Sequence, residues 1–313
     1  MINNSSNNIC IIISYFGKLP DYFPVWKKSC EFNPKIDFFV FSDINMTNLP
    51  ENIFWVKMSL SEMKELAEKN LEMEIKLDTP YECCDLKAVY GIIYRDFIQG
   101  YDYWGYCDMD MVFGDLSWWF DKYNLYKYDR FLSLGHLSMM RNTDENNQRY
   151  KLSCTPGKGY KDSFITPGST HFCENEINKI YNSYSFPFFE ERLCADLSPI
   201  YERLRINGYF QDYPHQVFFW QRGKTWRICQ RWNKVGKFRK IEIEEFAYIH
   251  FQKRKMESPK FNVNTCNAFY ICSHEFVEKK NIGYPTIDEI KRLNPYKGPF
   301  VEILEWIKYR IKN

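Results

Sequence analysis

Long apolar runs are missing from the start of the chain, where the longest stretch of purely aliphatic residues or cysteine is Ile9–Ile13. A spanning helix needs roughly 18 apolar residues, so no membrane-crossing segment is expected there. The first eight residues are polar and Asn-rich, with no cationic lead-in, which argues against a secretory leader. An excess of charge is missing too: 42 Lys plus Arg against 40 Asp plus Glu leave a formal +2. Nucleic-acid binding in bulk needs a strong basic surplus and is not expected. The eleven cysteines contain no C-x-x-C pair, which excludes a zinc ribbon. Their number is odd, and Cys83 and Cys84 are adjacent, so reduced, buried thiols in a cytoplasmic protein are the simplest expectation. Internal repeats and low-complexity linkers are absent as well. What the chain has in quantity is aromatic: 26 Phe, 23 Tyr and 9 Trp, or 19% of 313 residues. Rings stack on sugars and nucleobases, but they also simply fill cores, so this surplus alone selects no function. A 45% hydrophobic and 26% charged composition is that of a folded globular protein, and the length suits one large or two ordinary domains.

Element signals alternate over the first third. Ile9–Ser14 (ICIIIS) is apolar throughout, as expected of a strand buried on both faces. Tyr22–Cys30 reads as a short helix stopped by Asn33-Pro34. Ile36–Ser42 and Ile53–Met58 read as strands, with the polar helix former Ser61–Lys69 after them. Leu86, Val89, Tyr90, Ile93 and Phe97 fall at helical spacing and predict a helix over about 86–99. Tyr103–Cys107 is a further strand, ending at Asp108-Met109-Asp110. Strands alternating with helices predict an α/β fold with a mostly parallel sheet. Beyond that the pattern weakens. Arg130–Met140 contains a strand signal, and 141–170 reads as a long loop. Glu174–Tyr181 reads as a helix, Phe246–Phe251 as a late strand carrying His250, and Pro299–Lys312 as a final helix. The expected organisation is one domain over 1–255, with halves at 1–116 and 117–255. A C-terminal extension covers 256–313.

In an open α/β sheet, ligands bind beyond the carboxyl ends of the strands. Three such ends carry polar or special residues here: Tyr15-Phe16-Gly17-Lys18, Asp43 and Asp108-Met109-Asp110. Hard divalent cations want oxygen ligands, and Mg²⁺ or Mn²⁺ takes one or two carboxylates plus phosphate oxygens. A bare D-x-D is common in surface turns. Flanked by Tyr-Trp-Gly-Tyr-Cys and Met-Val-Phe-Gly-Asp, these carboxylates need a partner, and a cation is the expected one.

The run YWGYCDMDMVFGDL resembles the D-x-D segment of GT-A glycosyltransferases. Together with SYFGKLPDYFPVWKKSCEFNP (14–34), PYECCDLKAVYG (80–91) and YIHFQKRKM (248–256), it resembles a family of bacterial surface-polysaccharide glycosyltransferases, such as those of capsule or O-antigen, over roughly residues 9–256. The resemblance implies a GT-A-like (Rossmann-like) fold, a UDP-sugar donor, Mn²⁺ or Mg²⁺, and a saccharide or lipid-linked saccharide acceptor. Galactose or galactofuranose is the sugar it suggests. Carried over, Tyr15, Phe16, Gly17 and Lys18 would lie against the nucleoside, Asp43 would accept from uracil or ribose, and Asp85 and Lys87 would face the same cleft. Lys87 would meet the diphosphate as a point charge. Asp108 and Asp110 would hold the metal, with His250 completing its shell. Lys253, Arg254 and Lys255 would clamp the diphosphate. The bland alternatives are a helix cap at Asp85, a surface lysine at Lys87 and a satisfied core histidine at His250.

An inverting transfer also needs a general base for the acceptor hydroxyl. Glu190 and Glu191, after Phe186-Pro187-Phe188-Phe189, are the candidates, because a carboxylate beside apolar rings is basic nearer neutrality. Asp196 and Asp212 are rivals. Trp118 and Trp119 could wall the acceptor side. The last helix joins apolar residues and Trp306 to Lys308, Arg310 and Lys312, which suits peripheral contact at the inner face of the cytoplasmic membrane as well as docking on the catalytic domain. Two other classes compete. A nucleotidyltransferase or phosphohydrolase could use the same Asp pair, although Ser14–Lys18 has only one Gly and one Lys. A non-catalytic carbohydrate-binding protein has no use for the D-x-D.

Overall fold

The computed structural model describes residues 7–154, 159–208, 212–232, 239–281 and 283–312. In chain order its strands are β1 (Ile9–Ser14), β2 (Ile36–Ser42), β3 (Ile53–Lys57), β4 (Tyr103–Cys107), β5 (Met111–Phe113), β6 (Arg130–Leu134), β7 (Leu137–Arg141) and β8 (Phe188–Phe189). They continue as β9 (Cys194–Asp196), β10 (Gln216–Gln221), β11 (Lys224–Trp232), β12 (Arg239–Phe246), β13 (Tyr248–His250), β14 (Ala268–Ile271) and β15 (Phe276–Glu278). The chain divides into two compact units: Met1–Leu19, Pro34–Asp108 and Ser117–Arg192 form the first, and Pro20–Asn33, Met109–Leu116 and Leu193–Asn313 the second. Residues 256–313 thus share a unit with 193–255.

The first unit is mixed α/β, as the alternating pattern implied. Its seven-stranded sheet runs in the order β3-β2-β1-β4-β7-β6-β8. β1 is parallel to β2 and β4, and β2 to β3; β7 runs against both β4 and β6. The Ile-rich β1 is buried along Ile9–Ile13, which is why it carries no polar alternation. Parallel β1, β2 and β4 send their carboxyl ends to one edge, and the loops there carry the candidate donor residues.

Helix α2 (Leu60–Leu71) shows how this unit sets its boundaries. Ser59 Oγ accepts from Glu62 N at 3.2 Å, and Glu62 Oε2 accepts from Ser59 N at 2.7 Å, so a capping box starts it. Such a cap is worth about 1 kcal/mol. Met63, Ala67 and Leu71, four apart, enter the core, and the helix stops at Glu72 in a left-handed conformation with φ of 56°.

Two expectations fail here. The single helix over 86–99 is instead two short turns, Cys83–Leu86 and Tyr90–Ile93, joined by a 3₁₀ turn at Lys87–Val89. The segment is pressed onto β4. A Cβ at Gly91 would lie 2.4 Å from the Trp104 ring nitrogen, so only glycine permits the approach. Residues on every side of the segment are buried, which a regular amphipathic helix would not allow. The 141–170 loop contains helices Asp144–Gln148 and Tyr160–Ile165, the first capped by Thr143. Residues 155–158 of that stretch lie outside those described.

The second unit holds two sheets. β5-β13-β9 is a three-stranded mixed sheet, and β12-β11-β10-β14-β15 is antiparallel. The helix Phe23–Glu31 contributes Val25 to its core, beside Val112, Ala195, Phe218, Trp220 and Ile249. Gly114 N donates to Ala247 O at 2.7 Å, closing β5 against the bend that leads into β13. Among the described residues no helix is long and apolar enough to cross a membrane.

Candidate functional site

The β1 and β2 ends come together as the sequence suggested. Gly17 has φ of +89°, a region that L side chains avoid, and its N–H donates to Asp43 Oδ1 at 2.9 Å. Tyr15 Oη donates to Lys18 O at 3.2 Å, which folds the loop back on itself. Gly17, Lys18 and Asp43 are exposed and Tyr15 half-buried, but Phe16 is turned into the core and offers no surface for stacking.

Asp85 and Lys87 do not face an open cleft. Asp85 is buried, and its carboxylate accepts from Thr170 N at 2.6 Å, Phe172 N at 2.8 Å, Thr170 Oγ1 at 3.1 Å and Ser169 Oγ at 3.3 Å. It is an anchor for residues 169–172. Lys87 is buried as well, and is neither the cleft lysine expected to meet the diphosphate nor the surface lysine of the bland alternative. Its Nζ forms an ion pair with Asp108, donates to Gly135 O at 3.2 Å and lies 5.8 Å from the Tyr106 ring centre. Burial alone would pull this ammonium down, but Asp108 outweighs it and holds the pKa well above the usual lysine value. Within the first unit, then, the β4-end carboxylate has a built-in cation.

The second unit places a different group around Asp110. β13 pairs parallel with β9, so His250 lies opposite Asp196, and antiparallel with β5 just beyond Asp110. His250 Nδ1 donates to Asp196 Oδ1 at 2.8 Å. The other Asp196 oxygen accepts from Gln252 Nε2 at 2.9 Å and Asn207 Nδ2 at 3.3 Å. His250 Nε2 therefore points the other way and stands 3.2 Å from Asp110 Oδ1. That oxygen is buried, and the imidazole faces it as an ion-pair partner. The backbone is tied at the same place: Phe251 N donates to Asp110 O at 2.7 Å and Leu197 N to His250 O at 2.9 Å.

Electrostatics follow from this packing. Burial pulls the His250 pKa down, but the charge on Asp110 and the Asp196 hydrogen bond overcome it and push it up to about 10. Burial pushes Asp196 up, and the His250 hydrogen bond more than offsets that, leaving its carboxyl below the usual range. With no cation bound, the imidazole is protonated and clamped between two carboxylates. It could give that proton to a base, or exchange it for a metal ion on Nε2. A histidine whose other nitrogen is held by a carboxylate is the arrangement found around metal-ligating imidazoles.

The remaining candidates separate. Arg254 is buried, and its guanidinium serves backbone carbonyls, including Ser198 O and Tyr201 O, each at 2.6 Å. It cannot also clamp a diphosphate, whereas Lys253 and Lys255 are exposed. Glu190 and Glu191 are exposed rather than seated among rings, and Glu190 Oε1 accepts from Asn182 Nδ2 at 3.0 Å. Asp212 pairs with Arg203 and Arg205. Trp118 is exposed with Lys122 Nζ 4.5 Å from its ring centre, and Trp119 is buried. The role missed in sequence is that of Asp196, weighed only as a rival base. Its position opposite His250 depends on pairing between strands 54 residues apart, for which no local signal exists.

A mixed α/β protein with a carboxylate–imidazole–carboxylate group at a strand junction is the class these observations define. Residues 11–280 match the model of a family of unknown function, DUF6625, and the chain belongs to that family. No curated protein matches it.

Proposed function

We propose that the chain is a metal-dependent glycosyltransferase of GT-A type. In this reading it moves a hexose from a UDP-sugar, galactose or galactofuranose, to a growing bacterial surface-polysaccharide acceptor, free or lipid-linked, with inversion, in the cytoplasm. The observation that carries it is Asp110 Oδ1, buried and 3.2 Å from an imidazole nitrogen that Asp196 holds in place. A carboxylate oxygen and an oriented imidazole nitrogen suit Mn²⁺ better than Mg²⁺, which wants oxygen ligands throughout. Asp110 and His250 would hold the ion. A bound divalent cation supplies neutralisation of the charge that builds on the leaving diphosphate.

The chain's own residues do the rest. Asp196 keeps a proton on His250 Nδ1 and so leaves Nε2 as the liganding atom. The exposed loop at Gly17 and Lys18, shaped by Asp43, suits the nucleoside, and only its backbone and polar atoms are offered there. Glu190 or Glu191 would take the acceptor proton.

Incubating the protein with UDP-sugars, Mn²⁺ and saccharide acceptors while following UDP release tests the reading. Release with one sugar, abolished by chelation and lowered on the order of 10²-fold in kcat by Glu190→Gln or Glu191→Gln, is expected. UTP or sugar-phosphate turnover in place of UDP release would mark a nucleotidyltransferase or phosphohydrolase instead.

A further inference from the structure

The helix Pro299–Lys312 carries its apolar stripe on the outside. At 3.6 residues per turn, Phe300, Ile303, Leu304, Ile307 and Ile311 fall within one arc of about 100°. Their exposures are 70%, 55%, 41%, 40% and 82%. The opposite face is the one held to the unit. Glu302 accepts from Arg203 Nε at 2.8 Å and Arg205 Nη1 at 2.9 Å, and Glu305 Oε2 accepts from Glu202 N at 3.2 Å. A surface helix ordinarily buries its apolar stripe and shows its charges to water. Here the carboxylates face inward, and none of the helix's residues is buried.

The rim of the stripe says what covers it. Lys308 and Lys312 flank one side and Arg310 the other, all exposed, with Lys297 just before the helix. Trp306 stands at the same rim, with the Arg310 guanidinium 5.3 Å from its ring centre. The helix's acidic residues, Glu302 and Glu305, both lie on the inward face, so the outward face is apolar and purely cationic. Two copies docked about a two-fold axis would set this cationic rim against itself. An anionic lipid surface instead meets all three features: acyl chains for the stripe, headgroups for the cations and the interface for Trp306.

We infer that this helix lies in the surface of an anionic bilayer and seats the second unit on it. The inference stands whether or not the protein transfers sugars.

The full chain should float with vesicles of phosphatidylcholine plus phosphatidylglycerol and stay behind with phosphatidylcholine alone. Salt should weaken binding, since the cations act through a screened field. Lys308→Glu and Lys312→Glu should each lower partitioning at least about fivefold. Ile307→Asp should lower it about tenfold or more, with circular dichroism and Tm unchanged because that side chain is exposed. No flotation with lipid in large excess, or flotation that Ile307→Asp leaves intact, would overturn the inference. So would a dimer in sedimentation velocity that Ile307→Asp dissociates, since a second copy would then cover the stripe.

Discussion

Asp108 and Asp110 stand two positions apart, and the fold gives them opposite surroundings. Asp108 ends β4 in the first unit and meets the buried ammonium of Lys87. Asp110 precedes β5 in the second unit and sets a buried oxygen 3.2 Å from an imidazole that Asp196 orients. Asp108 is paired with a lysine ammonium, whereas Asp110 is paired with an imidazole whose Nε2 proton a metal ion can replace. An outside cation would therefore enter mainly at Asp110, in exchange for the proton on His250 Nε2. Asp108 could serve a cation only by sharing itself with Lys87.

The largest effect expected from breaking this contrast is on the Asp108 side. Asp108→Asn leaves the Lys87 ammonium buried without its anion, and unfolding in urea should show a loss of roughly 1–3 kcal/mol. Lys87→Met combined with Asp108→Asn should cost less than the two single changes added, because the unpaired charge is gone. Next in size is Asp196→Asn, which removes the carboxylate that orients His250. Mn²⁺ affinity, measured by competition with a chelating dye, should fall about 10–100-fold with the fold intact. A further effect is that of pH. The raised His250 pKa means its contribution to stability is complete below the unfolded value of about 6.5. It is lost as pH climbs through about 10. Metal-free protein should therefore unfold more readily across that window, and Asp110→Asn should flatten the dependence. A slope that survives Asp110→Asn unchanged would show that Asp110 does not set the imidazole's charge.

How far all this could be read from the chain depends on how local the signal was. β1 and β2 were legible to the residue, because ICIIIS and IDFFVFS are apolar runs closed by polar loops. The D-x-D and His250 stood out as well, since charges inside apolar strands need partners. The second unit's large sheet was not legible. In β12, Ile241 and Ile243 are 43% and 40% exposed, while Glu244 turns in and accepts from Nε of the buried Arg227 at 2.6 Å. That alternation is the reverse of the usual pattern and hides the strand. Lys87 was expected to face the donor cleft from the start of one long helix, but the helix breaks into a 3₁₀ turn at Lys87–Val89 and the side chain is buried against Asp108. The apolar stripe of the last helix was plain in sequence, but only its attachment through Glu302 and Glu305 shows which way it faces.

The account turns on a cation at Asp110 that grips a sugar-nucleotide's diphosphate. Calorimetric titration of UDP into the protein, with and without Mn²⁺, tests this most directly when run on the natural chain and on Asp110→Asn. Binding that requires Mn²⁺ in the natural chain and disappears in Asp110→Asn is the predicted result. UDP binding of equal strength without the ion, or in Asp110→Asn with it, would contradict the account.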